Sequence, residues 1–255
     1  MSSRQHQREL ARVIGFLTAA GLGILVSATA ANAITFNVAG RNNAQNTATV
    51  DFTYDSGLGQ ISISITNTAF DSVLNPDPRI TAFAFNAPTN VSGVTGFTAT
   101  GTEDDAAWVN YFSPNSISTN GTIGNFDIAG TTTNNPNDIN AANGGSPNDG
   151  ILAIAPNNTG IFTFTLSGTG LNVLTATSFL SILTDAKDGL PDAAFAARFQ
   201  RTNADGQGSD VALGGPGPQG NIPPVPLPAA MPLFGTGLAI MGFIGWRRRR
   251  QTMAA

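Results

Sequence analysis

Gln60-Ile61-Ser62-Ile63-Ser64-Ile65-Thr66-Asn67 decides the fold. Isoleucine alternates with Ser and Thr, a period of two that puts the apolar side chains on one face of a strand and the hydroxyls on the other. The same alternation appears in Ile34, Phe36, Val38, in Val50, Phe52, Tyr54 and in Phe162, Phe164, Leu166. Each run reads as a half-buried strand. Shorter candidates are Ile80 to Phe85, Val94 to Thr100, Trp108 to Phe112, Ile123 to Ile128, Ile151 to Ala155, Phe179 to Leu183 and Phe195 to Phe199, each bounded by Gly, Pro, Asn or Asp. The alanines of Ala193 to Gln200 would also tolerate a helix. About eleven strands and no sustained 3.6-residue stripe predict an all-β ectodomain, an antiparallel β-sandwich or jelly roll over residues 34–213. Gly130 to Gly150 is too rich in Asn, Asp and Gly to pack and reads as a long exposed loop.

Charge is segregated along the chain. Seven of the twelve basic residues lie at the ends, as Arg4, Arg8, Arg12 and Arg247 to Arg250. Between Ile34 and Asn221 five basic residues face fifteen acidic ones, a formal charge of −10. Such a surface repels phosphate backbones and argues against nucleic acid as a partner. There is no cysteine, which excludes disulfides and thiolate chemistry, and the one histidine, His6, lies in the N-terminal leader. Once that leader is removed, the chain lacks both the commonest general base and the commonest activated nucleophile, which points away from an enzyme.

The leader, residues 1–33, is a basic stretch from Met1 to Arg12, an apolar core from Val13 to Val26, and small residues ending Ala31-Asn32-Ala33. That order is a secretory signal peptide, helical in its apolar core, with cleavage after Ala33 by signal peptidase once the translocon has engaged the chain. The alternative is an uncleaved anchor, for which the apolar core is short. At the other end a Gly- and Pro-rich linker, 214–224, precedes Val225-Pro226-Leu227-Pro228-Ala229. An apolar stretch from Met231 to Trp246 follows, and then Arg247, Arg248, Arg249 and Arg250. The stretch suits a short transmembrane helix that spans a thin bilayer, with the arginines held in the cytoplasm by the positive-inside rule. Pro226 and Pro228 keep the preceding segment extended and accessible.

Residues 225–250 resemble the PEP-CTERM sorting signal in a Val-Pro-Leu-Pro-Ala variant, in which Leu227 stands where the widespread form has Glu. The resemblance implies recognition by an exosortase, the membrane-embedded cysteine transpeptidase or protease of that system. It also implies an association with exopolysaccharide and biofilm. An ordinary single-pass anchor behind a proline-rich linker is the competing reading. The expected itinerary is export across the inner membrane, transient anchoring there, and release to the cell surface or beyond. Arg198-Phe199-Gln200 followed by Gly208-Ser209-Asp210 is similar to a turn of small ectodomains in the same family, a likeness that assigns no activity.

Within the ectodomain, three sets of side chains could carry chemistry. Glu103, Asp104 and Asp105 form the densest acidic cluster, but neighbours on a strand point to opposite faces and no partner acid for glycoside hydrolysis is identifiable. Asp185, Asp188 and Asp192, with Asp205 and Asp210, offer hard oxygen ligands at short spacing, as calcium loops do, and equally suit ordinary turns. Trp108, Tyr111 and Phe112 could stack against sugar rings or pack in the core. Two functions remain open: a non-enzymatic exported matrix protein, and a calcium-assisted carbohydrate or matrix binder. No cofactor other than calcium is implied.

Overall fold

β2 (Thr47–Asp55) and β3 (Gln60–Asn67) alternate buried and half-buried residues without a break, as their sequences require. They pair antiparallel in register, Val50 against Ile65, Phe52 against Ile63 and Tyr54 against Ile61, so every large apolar side chain of both strands falls on one face. This computed structural model describes residues 32–69, 77–118, 124–132, 152–184, 192–203 and 208–215. The chain divides into two units, Met1–Ala30 and Ala31–Ala255, and all described residues belong to the second.

The remaining strands are β1 (Asn32–Gly40), β4 (Arg79–Phe85), β5 (Val91–Thr100), β6 (Val109–Ser118), β7 (Asn125–Thr131), β8 (Thr159–Gly168), β9 (Phe195–Gln200) and β10 (Ser209–Gly214). All ten form one antiparallel sheet in the order β5-β8-β3-β2-β1-β10-β9-β4-β7-β6. One short helix, α1 (Ala176–Leu180), packs against β1 and β2. The all-β, antiparallel expectation holds, but the strands are not divided between two hydrogen-bonded sheets. Instead a single sheet curls until its edge strands, β5 and β6, approach each other.

The curl encloses a phenylalanine-rich core. Phe36, Phe52, Phe83, Phe85, Phe162, Phe164, Phe179, Phe195 and Phe199 are all fully buried in one cluster with Ile61, Ile63 and Ile65. Phe83 of β4 stacks on Phe195 of β9 at 5.8 Å and meets Phe162 of β8 at 4.6 Å, so strands far apart in hydrogen-bonding order touch across the interior. Beneath Phe83 lies Gly130 of β7, where a Cβ would stand 2.5 Å from the ring carbon Cζ. Outside, β2, β3 and β8 carry a hydroxyl ladder: Thr53 Oγ1 donates to the Ser62 carbonyl at 3.0 Å, and Thr66 and Thr159 hydroxyls meet at 2.8 Å.

Several sequence expectations need correction. Phe179 to Leu183 is not a strand, because Thr175 and Ser178 form a capping box that starts α1 and turns Phe179 onto Phe52 and Tyr54. Of Ile151 to Ala155, the described residues contribute only one bridge, Ile154 to Ile80. The strand expected at Phe195 to Phe199 is present as Phe195–Gln200, and the helix its alanines would tolerate is not formed. Ser209 and Asp210, read as part of an oxygen-rich run, open β10. The sheet runs from Asn32 to Gly214, so Asn32 and Ala33 of the expected leader pair with Tyr54 and Thr53. Of the loop expected over Gly130 to Gly150, Gly130 and Thr131 close β7, and residues 133–150 lie outside the described residues.

Truncating Phe83 to Ala should cost about 3–5 kcal/mol in urea unfolding, and Gly130→Ala should also destabilise by forcing that ring aside. Tyr54 donates from its hydroxyl to the Leu171 carbonyl at 2.8 Å, and burial, reinforced by the charge of Asp55, raises its pKa. The neutral phenol is therefore the form favoured by folding, so this contribution is complete below pH 10 and is lost as pH rises through the raised value. Tyr54→Phe should flatten the alkaline fall in melting temperature.

Candidate functional site

At the pole of the sheet where β4 begins and β9 ends, Arg79 and Arg201 meet Asp77 and Glu103. Arg79 opens β4 opposite Gln200 of β9, and Arg201 follows directly. Asp77 accepts from Arg79 Nε at 2.8 Å and pairs with Arg201 at 2.7 Å, while Arg79 also engages Glu103 through a second guanidinium nitrogen. The guanidinium of Arg79 thus fills the space between the Asp77 and Glu103 carboxylates.

The other members of the acidic cluster serve the local turn. Asp104 caps the 3-10 turn at Asp105–Ala107 by accepting from the Ala106 amide at 3.1 Å. Asp105 accepts from both the amide and the hydroxyl of Thr102, at 2.9 and 2.8 Å. Side chains that the sequence offered as a catalytic cluster hold a chain reversal between β5 and β6.

Asp210, expected among the calcium ligands, lies in β10 and is 3% exposed. Its Oδ1 accepts from the amides of Asn42 at 3.0 Å and Val211 at 2.9 Å, and its Oδ2 from the Asn43 amide and the Asn46 side chain, each at 3.0 Å. A carboxylate with four donors is already satisfied. It clamps the β1–β2 turn onto β10, and a Cβ at Gly40 would collide with it. Asp192 is described but far along the chain from this clamp, and Asp185, Asp188 and Asp205 lie outside the described residues. Among the described residues no three His, Cys, Asp or Glu side chains come together as a metal site.

The aromatic trio does not form a platform. Trp108 is 4% exposed and packs against Phe83 and Phe162. Phe112 leans on the same core, whereas Tyr111 joins a second cluster with Ala82, Ala84, Ala129, Ala196 and Val211. Burial raises the Tyr111 pKa. What sequence reasoning missed was Asp210 as a structural acceptor and Asn67 as a staple, fully buried with Nδ2 donating to the carbonyls of Pro78 and Ile154 at 2.8 and 2.9 Å. The alternation Ile61, Ile63, Ile65 puts Asn67 on the inward face, and that was the available signal.

The sorting motif Val225 to Ala229, the expected span Met231 to Trp246, the arginines Arg247 to Arg250 and Ala31 of the cleavage site all lie outside the described residues. Ala33 is in β1. Among the described residues no helix is long and apolar enough to cross a membrane.

No family model and no curated protein matches this chain. Among solved structures it is similar to one described as "pH-induced modulation of Streptococcus parasanguinis adhesion by Fap1 fimbriae", at 11% identity and a TM-score of 0.32, over 72% of this chain and 89% of that one. A likeness of that size carries no argument about fold or function.

Asp210→Ala should strand four donors and lower stability by roughly 2–4 kcal/mol, with Gly40→Ala moving in the same direction. Asp105→Ala, on an exposed turn, should cost well under half as much in the same denaturation series.

Proposed function

We propose that this chain is a non-enzymatic exported protein of the cell envelope or extracellular matrix, held at the inner membrane by its C-terminal segment until an exosortase processes it. One observation carries the reading: Val225-Pro226-Leu227-Pro228-Ala229, an apolar stretch from Met231 to Trp246, and Arg247 to Arg250 follow one another in that fixed order. A signal-type leader at the other end of the chain would deliver the domain between them to the far side of the membrane.

The fold is compatible with that itinerary. The ten described strands end at Gly214, eleven residues before Val225. Phe52 meets Phe85 at 5.5 Å and Phe83 meets Phe164 at 6.1 Å, contacts across the interior that support a sandwich-like reading of the curled sheet. Asp77, Glu103, Asp104, Asp105 and Asp210 each hold an arginine or a turn, which supports a structural rather than a catalytic use of the acids. The absence of His and Cys after leader removal favours the same conclusion.

The test is intact mass and membrane fractionation of the native chain beside a Pro226→Ala, Pro228→Ala variant. A native form lacking both the leader and everything beyond the Val225 to Ala230 region, with the variant retained full length in the membrane, is the expected result. If both forms keep Arg247 to Arg250 and partition identically, the C-terminus is a plain anchor.

A further inference from the structure

The sheet has two chemically different poles. Strand register defines them: Asn32 of β1 lies opposite Tyr54, and β10 runs antiparallel to β1 from Ala212 opposite Gly40 to Gly214 opposite Val38. The chain therefore enters the sheet and leaves it toward the same pole, which also holds the β2–β3 turn and the segment after β8. Leu58 in that turn is 65% exposed, Val173 in the following segment 74% and Leu183 51%. The remaining exposed large apolar residue of the described set, Ile161, lies within β8.

These side chains are presented by fixed backbone. Asp55 Oδ1 accepts from the amides of Gly57 at 2.8 Å and Leu58 at 3.1 Å, and Gly59 takes a left-handed φ of 61°, which holds the leucine at the apex of its turn. The Tyr54 hydroxyl holds the Leu171 carbonyl, Leu171 packs on the core, and Val173 closes the same 3-10 turn. The Leu171 side chain would lie 3.3 Å from a Cβ at Gly59, so the two turns adjoin. A leucine and a valine displayed on braced, neighbouring turns stand where polar residues cost nothing.

The described arginines lie toward the other pole. Arg79 and Arg201 are in its ion-pair group, the Arg41 amide donates to Val211 and Arg198 pairs with Val211 in the β9–β10 ladder. On the apolar pole, Asp55 and Asp127 turn carboxylate oxygens onto backbone amides.

We propose that the apolar pole docks on a lipid surface, Leu58 and Val173 entering the headgroup region of a zwitterionic bilayer while the chain is tethered by Met231 to Trp246. This rests on the membrane-anchored reading above. The chain outside the structure identifies the occupant: β10 runs toward this pole and ends at Gly214, level with Val38 of β1, and residues 216–230, fifteen in all, precede the apolar stretch. Fully extended, they reach about 50 Å, enough for the domain to stand off or to lie down. The tether keeps the pole close to the surface at high effective concentration, and the exposed leucine and valine favour contact. With no described arginine at this pole, anionic lipid adds no attraction. Docking would hold Val225 to Ala229 at the height of a membrane-embedded processing enzyme.

The chain has no cysteine, so a single thiol can be placed at will. Full-length Leu58→Cys and Val173→Cys variants, with Gln45→Cys at the opposite pole as control, carry an environment-sensitive fluorophore and are reconstituted in phosphatidylcholine vesicles. Expected are co-flotation of all three, blue-shifted emission at 58 and 173, and several-fold weaker iodide quenching there than at 45. Co-flotation with equal quenching at all three positions overturns the docking and leaves the anchor standing. Failure to float removes the anchor and the docking together. Hydrogen exchange of the unsubstituted chain reads the same contact without a label: slowing at residues 57–59 on vesicles relative to detergent supports docking, and equal rates refute it.

Discussion

The ring of Phe83 is the contact on which the rest of the structure depends. It touches Phe195, Phe162, Phe164 and Trp108, and so ties β4 and β9 to β8 and to the residue preceding β6. β8 lies next to one edge of the strand order and β4 third from the other, so no backbone ladder joins them directly. Side-chain burial favours the curl, because a flat sheet would leave a face of phenylalanine and isoleucine in water. Gly130 is the concession this contact demands from β7, whose backbone must run directly beneath the ring.

Closure of the apolar interior leaves the strand ends to be secured by polar groups. Asn67, Asp127 and Asp210 do this with side chains that replace missing ladder partners. Asp127 accepts from the amides of Ala87 and Asn115, and Asp210 reaches a turn 168 residues earlier in the chain. Asp127 and Asp210 accept from backbone amides or a side-chain amide, while Asn67 donates to two carbonyls and accepts from the Ala69 amide, the arrangement in which polar groups hold position without unmet hydrogen-bonding demand.

The sequence was most readable where one strand face is wet. β1, β2, β3 and β8 alternate apolar residues with Thr, Ser and Asn because their outer face meets solvent, and period two survives. β9 is buried on both faces through all six residues, so Phe195-Ala196-Ala197-Arg198-Phe199-Gln200 shows no alternation and its alanines suit a helix equally well. β10 was obscured by Gly208, Ser209 and Asp210, residues of turn composition whose strand character comes from pairing with β1 and β9. Asp210 could be recognised as a carboxylate beside glycines. That its four donors come mainly from the turn after β1 is a long-range fact that spacing along the chain cannot express. The proposal for residues 225–250 rests instead on composition and linear order alone.

Among the described residues the first and last strands lie side by side in the middle of the sheet, and β10 alone joins β1 to β9. A chain emerging N-terminus first, from a ribosome or a translocation pore, therefore has β1 and β9 as open edges until residue 214 is free. The two halves cannot be zipped into one ladder before nearly the whole domain has been released, and the pairing of β1 with β10 spans almost its full length, a contact that raises contact order and slows folding. Folding is timed by the last strand to arrive, and a chain still in transit stays unclosed and able to thread.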